Sequence, residues 1–183
     1  MDIKMLVKQY VEEEYDMLSA QSKVAQDILL NKIFKSRFKN HVTIKGGVVM
    51  HNISNSYRRA THDIDLDFIK YSLEEKSIQS FIDKLNSVND GINVEIVGKI
   101  EELHHQDYNG KRVYVRLING KNVIDTKLDI GVHKSFELSQ EEYYFNLNSM
   151  GKGVNLLINS CEQIFTEKLK SLLIFGIRTT RYK

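Results

Sequence analysis

The chain has 183 residues, of which 42% are hydrophobic and 27% are charged, and 26 basic residues face 24 acidic ones. This composition is typical of a folded domain, and a formal net charge of +2 does not by itself indicate a nucleic-acid or membrane partner. The single cysteine excludes a disulfide framework within the chain, and no apolar run approaches the ~20 residues that a membrane span needs, so we expect a cytoplasmic protein with no membrane partner.

The first third of the chain carries two helical patterns and one short strand pattern. Apolar residues at helical spacing predict helices over residues 3–18 and 22–38, and a short apolar run predicts a strand over residues 42–45. The pair Gly46-Gly47 then predicts a turn, residues 48–53 fit the start of a helix, and the polar stretch 52–62 indicates a loop.

Residues 63–69 alternate strictly between acidic and apolar side chains, which predicts a strand. Its apolar face carries Ile64, Leu66 and Phe68, and its other face carries Asp63, Asp65 and Asp67.

The remainder of the chain predicts one sheet with two more helices. Ser72 with Glu75 resembles a capping box that opens a helix to about residue 88, and Ser160 with Gln163 resembles another before a helix over residues 161–175. Strand patterns cover residues 92–97, 112–118, 123–130 and 154–158. Asn-Gly pairs in residues 108–111 and 119–122 predict hairpins between antiparallel neighbours. We therefore expect an α+β, or mixed α/β, domain with one mixed sheet flanked by helices.

Three aspartates on one strand face need an explanation because like charges repel. Alternation alone fits a solvated strand face, which is the simpler interpretation. Aspartate is nevertheless a poor strand former, and Asp63 and Asp65 would lie about 7 Å apart, close enough to hold hard cations jointly. Two such cations would clamp a polyphosphate for in-line displacement.

Basic residues precede this strand. Residues 28–62 contain no acidic residue but hold seven basic ones: Lys32, Lys35, Arg37, Lys39, Lys45, Arg58 and Arg59. A solvated helix face explains the lysines of the predicted helix, whereas Arg58 and Arg59 come just before Asp63 and fit a phosphate-rich ligand. A turn at Gly46-Gly47 would let backbone N–H groups approach a phosphate.

A second acidic strand could complete a metal site. Lys127 and Asp129 share one face of the predicted strand 123–130. Asp125 lies on that same face, so spacing alone leaves open which aspartate would serve.

These motifs together resemble a known family. The stretch "IKGGVVMHNISNSYRRATHDIDLDF" is similar to the Gly-Gly and Asp-x-Asp signature of nucleotidyltransferases related to DNA polymerase beta, and more closely to the AbiEii/AbiGii toxin family of type IV toxin–antitoxin systems. The family positions in it are Gly46, Gly47, Arg59, Thr61, Asp63 and Asp65. "KLD" at 127–129 resembles the family's Lys-x-Asp motif, and residues 164–181 resemble its Glu-Lys helix through Glu167 and Lys168.

The resemblance implies a nucleotidyltransferase fold, Mg²⁺ or Mn²⁺, a nucleoside triphosphate donor, tRNA as acceptor and a cognate antitoxin encoded nearby. It implies that Asp63, Asp65 and Asp129 bind metal and that Asp129 helps to deprotonate the acceptor hydroxyl. It assigns the nucleotide to Gly46, Gly47, Arg59 and Thr61, and the charge on the leaving pyrophosphate to Lys127 or Lys168.

Two other functions remain open from the sequence. The family continues into a further helical region, and we expect residues 1–183 to form a single nucleotidyltransferase domain without that region. The same fold could then modify a small molecule of the antibiotic type. Alternatively, the domain could bind nucleotide as an interaction module without catalysis.

Overall fold

The computed structural model describes residues 1–54, 61–105, 108–132 and 140–175. In chain order, the elements of these residues are α1 Ile3–Glu12, α2 Met17–Lys35, β1 Val42–Lys45, α3 Gly46–Ser54, β2 Asp63–Phe68, α4 Glu75–Asn86, β3 Asn93–Ile96, β4 Glu101–His105, β5 Tyr108–Asn119, β6 Asn122–Val132, β7 Gln140–Leu147, a 3₁₀ turn Asn148–Met150, β8 Lys152–Asn159 and α5 Cys161–Phe175. This confirms the expected mixed α/β class with one mixed sheet.

The described strands form a single sheet in the order β3-β5-β6-β2-β1-β8-β7, with β4 paired to β5. Strand β2 lies at the centre, antiparallel to β1 and parallel to β6. Strand β1 also pairs in parallel with β8. The centre of the sheet is therefore built from strands that are far apart in sequence.

The hydrophobic core lies on one face of this sheet. Ile64, Leu66 and Phe68 of β2 are all 0% exposed, as the alternation predicts. The ring of Phe68 packs against those of Phe38 and Phe81, at centroid distances of 6.1 and 5.2 Å. The acidic residues of β2 consequently lie on the opposite face.

Helix α2 is buried on nearly all sides, and polar contacts anchor it. Asp27 accepts hydrogen bonds from the Tyr10 hydroxyl at 2.7 Å and from the Ser149 hydroxyl at 2.6 Å. Lys32 is 0% exposed and forms a 2.8 Å ion pair with Asp90. The interpretation of Lys32 as part of a solvated basic face is therefore wrong.

Several predicted boundaries are also wrong, for local reasons. The first helix ends at Glu12 rather than at residue 18, because the Asp16 carboxylate accepts the Ser19 N–H at 3.0 Å and caps a new helix. Ser72 does not cap α4. Its hydroxyl accepts the N–H of Glu74 in a turn that precedes the helix.

The two Asn-Gly signals have different outcomes. Residues 119–122 form the predicted hairpin, in which Asn119 pairs with Asn122 and Gly120 has a φ of +60°. Residues 108–111 instead lie inside β5, so the prediction of a turn at this position is wrong. The expected antiparallel pairing is nevertheless confirmed, because β3 pairs antiparallel with β5. Strands β4 and β7 were not predicted. Ser160 does cap α5, because its hydroxyl accepts the Gln163 N–H at 3.3 Å.

No helix of the described residues is long and apolar enough to cross a membrane.

Candidate nucleotidyltransferase site

The two glycines at the start of α3 are required by close packing against β2. Gly46 has a φ of +67°, and a Cβ at this position would overlap the carboxylate of Asp65. A Cβ on Gly47 would lie 2.5 Å from the hydroxyl oxygen of Thr61. The structure therefore brings together four residues predicted to form the site.

The parallel pairing of β2 with β6 supplies the second acidic strand. In its register, Asp63 lies opposite Lys127 and Asp65 lies opposite Asp129. Both predicted motifs therefore meet on adjacent strands and on the same face of the sheet.

The register also gives the two aspartates of β6 different positions relative to β2. Asp129 is a direct neighbour of Asp65, whereas Asp125 precedes the part of β6 that pairs with β2. Asp125 instead forms a two-bond ion pair with Arg116 of β5, at 2.7 and 2.9 Å. Asp129 is therefore the aspartate of β6 that belongs to the acidic cluster.

Basic side chains offset much of the negative charge. Lys45 of β1 pairs with Asp67 at 2.6 Å, and both side chains are less than 10% exposed. Lys127 pairs with Asp63 at 3.1 Å. Asp67 therefore stabilises the junction of β1 and β2, while Asp63 and Asp65 are only partly buried.

Arg112 of β5 was missed by the sequence analysis. Its Nε and Nη2 donate to the two oxygens of Asp129, each at 2.8 Å. This contact raises the pKa of Arg112 above its ordinary value. The hairpin predicted at residues 119–122 could have identified Arg112. Its two-residue turn fixes the register of β5 and β6, and this register places Arg112 opposite Asp129.

Asp65 lies in an environment that disfavours its ionised form. Burial raises its pKa, and the nearby charges of Asp129 and Asp63 raise it further. Lys45 and the Gly47 N–H oppose that rise. A carboxylate in this position is stabilised by a nearby cation.

The residue types of the cluster fit a hard divalent cation. Asp63, Asp65 and Asp129 offer carboxylate oxygens, which Mg²⁺ and Mn²⁺ prefer, and the space at Gly46 lets the Asp65 carboxylate approach α3. In the described part of the chain, no three His, Cys, Asp or Glu side chains are positioned as a metal site, and the oxygens of Asp129 are held by Arg112.

The end of the loop before β2 is anchored to α2. Gln26, which is 2% exposed, donates to the carbonyl of Thr61, and the Ser22 hydroxyl lies 2.8 Å from Nδ1 of His62. The Thr61 hydroxyl donates to the carbonyl of Asp63 at 3.4 Å. Contacts with α2 therefore hold Thr61 where it lies close to Gly47.

Two predicted site residues fall where the structure gives no side-chain position. Arg59, with its neighbour Arg58, lies outside the described residues. Lys168 belongs to α5, and its side chain lies outside the described part of the chain. Their assignments stay predictions.

One protein family matches most of the chain. Residues 27–183 match the family described as nucleotidyl transferase AbiEii toxin, type IV toxin–antitoxin system. Among solved structures, the chain is similar to the crystal structure of JHP933 from Helicobacter pylori, with 18% identity and a TM-score of 0.44 over 85% of this chain. A second H. pylori structure, named as a candidate nucleotidyltransferase, shows 17% identity and a TM-score of 0.45 over 85% of this chain.

The chain spans 57% and 59% of the lengths of these two H. pylori proteins. No curated protein matches the sequence. Since the family match covers most of the sequence, the chain belongs to the AbiEii family of nucleotidyl transferase toxins, the toxins of type IV toxin–antitoxin systems.

Proposed function

We propose that this protein is a metal-dependent nucleotidyltransferase that transfers a nucleotide from a nucleoside triphosphate to an acceptor hydroxyl. The observation that carries the proposal is the register of two parallel strands. It places Asp65 beside Asp129, next to the Gly46-Gly47 junction. Carboxylates beside backbone N–H groups are the elements that bind a metal-bound triphosphate.

The residues of the site have different roles in this proposal. Asp63, Asp65 and Asp129 hold Mg²⁺ or Mn²⁺, which when bound neutralises charge on the phosphates. The glycine N–H groups at the start of α3 and the Thr61 hydroxyl orient the triphosphate. Lys127, which lies 3.1 Å from Asp63, or Lys168 would neutralise charge on the leaving pyrophosphate. Arg59 is proposed to contact the phosphates as well.

In the transfer step, the acceptor hydroxyl oxygen forms a bond to the α-phosphorus. The bond from that phosphorus to the pyrophosphate breaks, and pyrophosphate leaves with its electron pair. Asp129 accepts the proton of the hydroxyl group. The site acts mainly by positioning and electrostatics, as is usual for transfer to or from phosphates.

We propose tRNA as the acceptor and a cognate antitoxin as the partner that limits the activity. The family supports a role as the toxin of a type IV toxin–antitoxin system. Modification of tRNA would account for toxicity because it would block translation.

The test is transfer of label from each α-³²P-labelled nucleoside triphosphate, with Mg²⁺, to total tRNA or to an aminoglycoside. We expect label on tRNA from the wild-type protein and none from Asp65→Asn. Label found only on the aminoglycoside would show that the acceptor is a small molecule and not tRNA. Nucleotide binding without transfer to either acceptor would indicate an interaction module and contradict the proposed enzyme.

A further inference from the structure

The ion pair between Arg112 and Asp129 occupies a part of the site that the proposed cation needs. Two parallel N–H···O bonds of 2.8 Å engage both oxygens of Asp129. Both side chains are partly buried, at 25% and 16% exposed, so salt screens this pair less than a fully exposed one. A metal that binds Asp129 must therefore compete with a guanidinium in its preferred two-bond geometry.

The charges around the pair favour an exchange of partners. Asp63, Asp65 and Asp129 supply three negative charges, and Lys127 and Arg112 supply two positive ones. A divalent cation beside Asp65 and Asp129 would repel a guanidinium that stayed on Asp129. A triphosphate that arrives with the cation would bring new acceptors for the same guanidinium, whose planar fork fits phosphate as well as carboxylate.

We propose that Arg112 is a positioning residue that exchanges partners during nucleotide binding. It holds Asp129 in the metal-free protein, releases that carboxylate to the divalent cation, and then pairs with the phosphates of the nucleotide. This inference rests on the proposed function. It assigns to Arg112 two opposite effects, one that weakens the binding of metal alone and one that strengthens the binding of metal with nucleotide.

The same two strands provide a matched control. Arg116 and Asp125 form an ion pair with the same two-bond geometry, four residues further along β5. At the usual rise of a strand, this second pair lies about 13 Å from the first. Because Asp125 does not pair with β2, loss of the second pair should leave the acidic cluster unchanged.

The experiment measures Mn²⁺ binding to the full chain by electron paramagnetic resonance of the free ion. It is done without nucleotide and again with a non-hydrolysable triphosphate analogue. Without nucleotide, Arg112→Gln should bind Mn²⁺ roughly 5-fold or more tightly than wild type, the lower end of typical couplings between sites. With Mn²⁺ present, the same variant should bind the analogue more weakly. Arg116→Gln should match the wild type in both measurements.

The outcomes separate this inference from the proposed function. Equal or weaker Mn²⁺ binding by Arg112→Gln would overturn the inference and mean that Arg112 only orients Asp129. Tighter Mn²⁺ binding without weaker analogue binding would overturn the transfer of Arg112 to the phosphates. No Mn²⁺ binding by wild type or by any variant would overturn the proposed metal site as well. If Arg112→Gln does not fold, Arg112→Lys replaces it in the test. Lysine keeps the positive charge but lacks the planar guanidinium that makes two parallel hydrogen bonds. This variant should therefore bind Mn²⁺ more tightly than wild type, by a smaller factor than expected for Arg112→Gln.

Discussion

The three aspartates of β2 share one strand face but have three different environments. Asp67 is buried in an ion pair with Lys45, Asp63 is partly exposed and pairs with Lys127, and Asp65 carries a raised pKa among like charges. Their substitution by asparagine should therefore have three different effects on the free energy of unfolding.

We expect Asp65→Asn to raise the melting temperature of the metal-free protein at neutral pH. The pKa of Asp65 is raised in the folded state, so its ionised form destabilises the fold above that pKa. This cost falls as the pH drops below the raised pKa and disappears below 3.8, the ordinary value, because the unfolded chain is then protonated as well. The difference in melting temperature between variant and wild type should shrink over the same range, as thermal unfolding at several pH values would show.

The neighbouring aspartates provide the controls. Asp63→Asn should change the melting temperature little. Asp67→Asn should lower the free energy of unfolding by at most about 3–5 kcal/mol, the range for breaking a buried pair, since Asp65 can take over part of the contact with Lys45. A uniform effect of all three substitutions would show that the face is simply solvated.

At the junction of β1 and α3, we expect Gly46→Ala to cost more stability than a positive φ alone explains. Gly46 and Gly120 have φ values of +67° and +60°, but a Cβ added at Gly46 would overlap the Asp65 carboxylate, whereas one added at Gly120 would meet no atom within 4 Å. Gly120→Ala should therefore cost about 1–2 kcal/mol from its backbone conformation. Gly46→Ala should cost more and should also weaken Mn²⁺ binding. Equal losses in denaturant unfolding would contradict the close contact.

At the scale of the elements, helix α2 depends on buried polar contacts. Lys32 donates to the carbonyls of Leu85 and Val88 as well as to Asp90. We expect Lys32→Met to lower the free energy of unfolding by about 3–5 kcal/mol, because the carboxylate of Asp90 stays buried without its cation.

A surface pair on α1 is the control for that prediction. Lys8 and Glu12 lie 3.4 Å apart, and both side chains are more than 60% exposed. Lys8→Met should change the free energy of unfolding by less than about 1 kcal/mol. Urea unfolding of both variants gives the comparison, and a loss for Lys32→Met as small as that for Lys8→Met would show that the buried pair does not hold α2 in place.

The helices and strands also show which structural features can be predicted from local sequence patterns. The alternation in β2 and the Ser160 cap of α5 were predictable, because each depends on neighbouring residues alone. Strand β7, with the sequence QEEYYFNL, was missed because its polar residues hide the strand pattern. The burial of Lys32 was unpredictable from the sequence, because its partner Asp90 lies 58 residues away.

At the scale of the whole molecule, the site depends on the order of the strands. Asp65 and Asp129 become neighbours only because β2 and β6, separated by three strands in the sequence, pair in parallel. Periodicity predicts which face each aspartate occupies, but it does not predict this pairing. The family motifs indicated the pair, and the sheet register distinguishes Asp129 from Asp125.

The proposed transfer site depends on the register of β2 and β6, which brings Asp129 but not Asp125 beside Asp65. The most direct measurement is the rate of label transfer from an α-³²P-labelled nucleoside triphosphate to tRNA by wild type, Asp129→Asn and Asp125→Asn. We predict a loss of about 100-fold or more for Asp129→Asn, the scale of a lost general base, and a near wild-type rate for Asp125→Asn. A near wild-type rate for Asp129→Asn, or equal losses for both variants, would contradict a transfer site formed by this register.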